Sequence, residues 1–289
     1  MLETISFFVA LIGSSLAAIY DVKITPTEIP DEIPYAMIGL ALVLACIQSF
    51  LELDYSILMN SLVYGMAFLA FGYFMYKLGQ WGGGDAKVLA AIGFLSPGLS
   101  SIAKKIQFPF ALSYLVNMFF VGAIYMLAYA FILSLMNRKI FSEFLRSVKS
   151  SSKVILIFSP VLFSLFLLGN WYLFNLFGMA IDTQSLIVDS FFILLISLIL
   201  FLVWKFVKAV EEIAFKKRIP VSKLRVGDVL LESKVWEGIT GRELRAIRKS
   251  GKKFIWIKSG VCFAPAFPLA LLFTVYFGDG ILFFLKFLF

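Results

Sequence analysis

The chain has 289 residues, of which 61% are hydrophobic and 15% charged, and it carries a net charge of +8. Its mean hydropathy of +0.94 lies far outside the range of soluble domains, which excludes a water-soluble globular protein. Histidine is absent, so Ser-His-Asp and Cys-His catalysis and the usual zinc sites are excluded as well, and neither a metal nor a cofactor is expected.

A stretch of roughly 20 apolar residues suffices to cross a hydrocarbon core about 30 Å thick. Such stretches are read at 5–20, 35–50, 55–76, 88–99, 108–136, 154–178, 185–207 and 261–289. The first is short, and the fourth spans only if its helix begins in the glycine run before it. The expected fold is an all-α polytopic membrane protein of about six to eight transmembrane helices with a small α+β cytoplasmic insert. The organisation predicted is a membrane core at 1–207, a basic module at 208–260 and a C-terminal membrane segment at 261–289.

Fifteen Lys or Arg fall between positions 205 and 258 and five between 138 and 153, while the connections at 51–54 and 179–184 hold acidic residues and no basic ones. Basic residues collect on the cytoplasmic side, so the two basic stretches are assigned inside. This places the N-terminus outside, and the 21–34 loop and the turn before Asp85 inside. Lys104 and Lys105, in an outer loop, run against the trend. The charge distribution therefore points to a lipid bilayer and not to nucleic acid. The first apolar run has no basic stretch before it and no clear cleavage site, and is expected to stay as a helix.

Within the basic module, "DVLLESKVW" and "KKFIWIK" alternate as strands do and are rich in β-branched and aromatic residues. Between them Thr240-Gly241-Arg242-Glu243 has the spacing of a capping box opening a basic helix. The plain reading is a solvated positive-inside domain; the functional one is a clamp on anionic lipid or a partner. Cys46 and Cys262 lie in apolar stretches and read as packing residues.

The remaining chemistry must use carboxylates, lysines or hydroxyls. Four acids lie at or within apolar stretches: Asp21, Asp85, Asp189 and Asp279. Ionisable groups there are expensive and mark candidate sites. Asp189 is within snorkelling reach of an interface, and a helix break explains Asp279. Asp21 alone reads as a solvated helix exit, and Asp85 alone as the N-cap of the following helix. The run Gly82-Gly83-Gly84 lacks the spacing and the preceding strand of a P-loop.

Taken together, Asp21 and Asp85 change the reading. The charge-based topology puts both at cytoplasmic helix ends, where they can face one another. Two such carboxylates cannot comfortably both ionise and instead share a proton. A pair of this kind holds a water, deprotonates it and protonates a leaving amine. Glycines beside Asp85 would let a substrate backbone approach.

Tyr20-Asp21 with Ile29-Pro30-Asp31, followed by Gly82-Gly83-Gly84-Asp85-Ala86-Lys87, resembles the GxGD-type aspartyl peptidases. More narrowly it resembles the archaeal prepilin and preflagellin (archaellin) peptidases, relatives of the type IV prepilin peptidases. "RVGDVL", "GITGREL" and "IKSGVCFAPAFPLALL" are similar to the C-terminal region of some archaeal members. The "VKITPTE" stretch departs from the family by about two extra residues between the aspartate and Ile-Pro.

The resemblance implies an aspartic endopeptidase that removes short basic leaders from pilin-like or archaellin precursors at the cytoplasmic face. Asp21 and Asp85 would be catalytic, with Gly82, Gly83, Gly84 and Lys87 in support. Lys87 lies two residues past Asp85 and is expected to orient the glycine turn rather than react. Glu28, Asp31 and Glu32 form an acidic loop suited to a basic leader. Bacterial relatives often carry paired C-x-x-C motifs, and some methylate the new N-terminus; with neither a cysteine pair nor a visible methyl-donor site here, cleavage alone is expected. Two alternatives stay open. One is a presenilin-like or signal-peptide-peptidase-like protease, hinted at by "PAFPLAL"; the other is a proton- or cation-coupled transporter using the same two acids.

Overall fold

The computed structural model describes residues 1–24, 29–103, 105–178, 182–234, 238–259, 262–280 and 282. Its elements are α1 (Leu2–Ile19), α2 (Glu32–Glu52), α3 (Ser56–Lys77), α4 (Gly83–Leu99), α5 (Phe110–Met136), α6 (Arg138–Ser150), α7 (Ser152–Leu176), α8 (Thr183–Val210), β1 (Lys216–Pro220), β2 (Val229–Leu230), α9 (Gly241–Lys249), β3 (Phe254–Lys258) and α10 (Ala266–Phe277). Among the described residues, six helices are long and apolar enough to cross a bilayer: α1, α2, α3, α5, α7 and α8, the first and last each running on into a π-helical turn. The chain is a multi-pass helical membrane protein with a small sheet.

It divides into two compact units, one of residues Met1–Tyr129 with Lys217–Phe289 and the other Ala130–Lys216. In the first unit α4 is the central helix and packs against α1, α2 and α3. It begins within the glycine run, as the span argument requires, yet its 17 residues reach only about 25 Å. Twelve of those residues are buried, so α4 is clad in protein and not in lipid.

Small residues bring the helices this close. A Cβ on Gly65 of α3 would come within 2.3 Å of the Phe94 ring, and one on Gly72 within 2.8 Å of the Ala86 Cα. In return, the Ser61 hydroxyl donates to the Phe94 carbonyl at 2.6 Å. Packing of this kind replaces the hydrophobic effect, which is absent between helices in lipid.

Position 279 follows a helix break, as expected. α10 stops at Phe277, and Gly278 takes a φ of +78°. At 12 residues α10 is about 18 Å long, too short to span by itself. Asp279 is buried: one oxygen accepts the Gln107 N–H at 2.6 Å, the other the Ser113 hydroxyl. Asn117 donates to Thr274 at 2.9 Å and to the Gly278 carbonyl at 2.8 Å, and accepts from the Gly280 N–H at 2.9 Å. These bonds staple the end of α10 to the start of α5, and Asp279 has a structural role.

The basic module has a three-stranded sheet of order β1-β3-β2, with Val229 opposite Lys258 and Leu230 opposite Ile257 in an antiparallel pair. Both anticipated strands form in part: β3 covers Phe254–Lys258 and β2 Val229–Leu230, while positions 235 and 236 of the first anticipated strand lie outside the described residues. β1 was hidden in the sequence by its Lys-Lys-Arg start, which lacks alternation. The capping box of α9 closes as its spacing predicts: Thr240 Oγ1 accepts the Glu243 N–H at 3.3 Å, and Glu243 accepts the Thr240 N–H at 2.8 Å.

The second unit contains α6, α7 and α8 and has its own small core around Ile140, Ala209 and Val210. Asp189 on α8 is exposed. The reading of the cysteines as buried packing residues is corrected. Cys46 is exposed on α2, on the side of the helix away from the buried Ala41 and Ala45, and Cys262 is only partly buried.

Candidate active site

The site forms where α1 ends and α4 begins. α1 does not fray into solvent after Ile19; it continues as a π-helical turn over Tyr20–Ile24. Such turns recur at functional sites because they re-aim a side chain without ending the helix. Here the turn buries Asp21 to 5% exposure, which removes the reading of a solvated helix exit. One Asp21 oxygen accepts the Ala264 N–H at 3.3 Å, and its backbone carbonyl accepts from the Cys262 thiol at 3.1 Å.

Asp85 is not the N-cap of α4. Gly82 holds that position in an extended conformation, and Asp85 sits three residues later, in the first turn. Its Oδ2 accepts the Gly82 N–H at 3.1 Å and so satisfies one amide the helix start leaves open. Its other oxygen, Oδ1, is buried without a hydrogen-bond partner among the described residues. Buried carboxylate oxygens are almost always satisfied, so this atom stands out. Capping thus engages one of the two Asp85 oxygens. Asp21 stands in the turn that continues α1, a helix packed against α4, which carries Asp85.

The three glycines differ. A Cβ on Gly84 would come within 2.8 Å of the Ile29 Cβ, so Gly84 admits the Ile29 side chain. A Cβ on Gly82 would meet Asp85 Oδ2 at 3.3 Å. At Gly83 nothing lies within 4 Å, and this is the glycine whose open side faces free space.

Lys87 turns away from the glycine turn. Its ammonium pairs with Asp31 Oδ1 at 2.6 Å and lies 5.4 Å from the centre of the Tyr35 ring. It thus ties the start of α2 to the start of α4. Of the acidic loop, Asp31 is engaged by this pair, Glu32 is exposed in the first turn of α2, and Glu28 lies outside the described residues.

Sequence reasoning did not single out the wall contributed by the chain between β3 and α10. Besides the Ala264 and Cys262 contacts to Asp21, the Tyr125 hydroxyl donates to the Cys262 carbonyl at 3.1 Å. Trp81, beside the glycines, stacks on Phe263 at 5.4 Å and on Phe119 at 6.1 Å. The signal available was a Trp adjoining a Gly run, which is costly to expose, and an Ala-Pro step that fixes the entry to α10.

Residues 8–133, which contain both aspartates, match the type IV leader peptidase family. The chain is 25% identical over 190 residues to the prepilin peptidase EppA of Methanothermobacter thermautotrophicus, covering 61% of this chain and 49% of that protein. It is 36% identical over 93 residues to a preflagellin peptidase of Methanocaldococcus jannaschii, covering 32% of this chain and 38% of that one. The chain therefore spans half or less of the length of these relatives.

Proposed function

We propose that this protein is a membrane aspartic endopeptidase that cleaves short basic leaders from pilin-like or archaellin precursors at the cytoplasmic face. The observation that carries the reading is the buried Oδ1 of Asp85, which has no hydrogen-bond partner among the described residues, on a helix packed against the one whose end bears the buried Asp21. The family match and the names of the relatives support the same class of reaction.

The two carboxylates share one proton. The ionised member takes a proton from a water as that water's oxygen bonds to the scissile carbonyl carbon. The protonated member gives its proton to the amide nitrogen as the C–N bond breaks. No covalent intermediate with the protein forms. The Gly82 N–H orients Asp85, the Ala264 N–H orients Asp21, and substrate runs past the open side of Gly83. Basic residues of the leader are read by Glu32 and Glu28, since Asp31 is already neutralised by Lys87.

The test incubates the purified chain in detergent with pilin-like and archaellin precursors and weighs the products. Asp21→Asn or Asp85→Asn should abolish the shortened product while the protein still inserts in membranes. The double variant should be no worse than either single one, because the pair acts as a unit. Substantial cleavage by either Asn variant removes the pair from the mechanism, and no cleavage by the unaltered protein defeats the reading.

A further inference from the structure

The basic module carries a second surface that the proteolytic reading leaves unused. On β3, the central strand, Phe254 is 51% and Trp256 49% exposed, although both could have been tucked into a core. They alternate with the half-buried Ile255 and Ile257, so the two aromatic rings stand on one face of the strand. The Arg218 guanidinium, from β1, lies 4.8 Å from the centre of the Phe254 ring and therefore belongs to the same surface. Lys252, two residues before Phe254 and in phase with it, is exposed as well. Large apolar rings beside cations are the composition of a contact, not of a solvated face.

The position of the module says what covers it. Gly79, in the turn between α3 and α4, takes a φ of +68°, and a Cβ there would come within 2.2 Å of the Lys234 carbonyl. The segment following β2 is thus seated on the turn that joins a spanning helix to α4. Chain connectivity fixes the other side: β3 leads within a few residues to Cys262 and Ala264, which touch Asp21 at the end of α1. The sheet is held beside the ends of α1 and α3, two helices long and apolar enough to cross a bilayer. Where such helices leave the bilayer, aromatic rings settle among headgroups and Lys or Arg is drawn to anionic lipid.

We infer that the Phe254–Trp256 face of the sheet binds the headgroup layer of anionic phospholipid, with Arg218 and Lys252 as its phosphate contacts. A basic leader is excluded as the occupant, because this surface would repel it. Lipid anchoring then holds the glycine turn, which the module touches at Gly79, at a fixed depth.

The experiment uses the full chain in nanodiscs of either zwitterionic or mixed anionic phospholipid, with a nitroxide on a fraction of the headgroups. The chain has five tryptophans, so the emission difference between the unaltered protein and Trp256→Phe isolates Trp256. Trp256 should be quenched at least twofold more in anionic discs. Replacing Arg218 and Lys252 by Gln should remove that difference. Should this variant fold poorly, raising salt on the unaltered protein to about 1 M, where charges are screened beyond ~3 Å, should shrink the difference too. Equal quenching in both lipids, or a difference that survives both the substitutions and the salt, overturns the assignment. So does an unquenched Trp256 in anionic discs, which would leave the surface to an acidic protein.

Discussion

Gly84→Ala and Gly83→Ala are chemically the same change at adjacent positions, and the structure assigns them opposite consequences. At Gly84 the new methyl would sit 2.8 Å from the Ile29 Cβ, about 1 Å inside an ordinary carbon–carbon contact. Ile29 is β-branched and cannot swing away by a simple rotamer change, so the Ile29–Asp31 segment must shift. Forcing one methylene-sized group into a packed position costs about 1–3 kcal/mol. In a chain of this size that corresponds to roughly 2–4 °C of melting temperature per kcal/mol. At Gly83 the methyl meets nothing within 4 Å, and Ala is the better helix former, by up to about 1 kcal/mol. Thermal melts of both variants in the same detergent read the stability, and precursor cleavage reads the function. Gly84→Ala should melt several degrees lower. Gly83→Ala should melt at or above the unaltered protein, yet raise KM for the precursor if substrate runs past its open side. Equal melting temperatures for the two variants would refute the packing argument. An unchanged KM for Gly83→Ala would take substrate away from that side.

Lys87→Met removes a partly exposed ion pair worth about 0–1 kcal/mol, so melting should barely move; activity should fall without vanishing, and complete loss in a folded protein would give Lys87 a direct catalytic role. Asp279→Ala leaves the Gln107 N–H and the Ser113 hydroxyl without their buried acceptor, about 1–3 kcal/mol for each, and should lower the melting temperature more than Lys87→Met does. Glu243 is held below the usual carboxylate range by hydrogen bonds from the Thr240 backbone and side chain. Its contribution to capping α9 is therefore full above the unfolded value near 4.5 and fades as pH falls through its lower folded value. The loss of α9 amide protection on acidification should accordingly be smaller in Glu243→Gln, which no longer titrates there; identical pH profiles would argue against the cap.

Hydropathy alone determined the multi-pass helical class, since a run of apolar residues long enough to span can do little else in water or lipid. The motif Gly82-Gly83-Gly84-Asp85 was legible for a similar reason: glycines and an acid beside an apolar helix are costly wherever they are not used. The same holds for the capping box at Thr240, whose bonds are local. Contacts across long sequence separations were not legible. Nothing near Asp21 announces that its carboxylate is met by the Ala264 amide, because that bond depends on where α10 begins. Lys87 could not be paired with Asp31 from spacing, because the pair joins the starts of α4 and α2, which only the packing of the two helices brings together. The glycine run itself was read as a single opening, whereas tertiary packing fills one of its positions with Ile29 and leaves another free. Which oxygen of Asp85 caps a helix and which stays unpartnered is likewise a property of the folded turn. A sequence specifies what each residue can do; only packing decides which of those options is already taken.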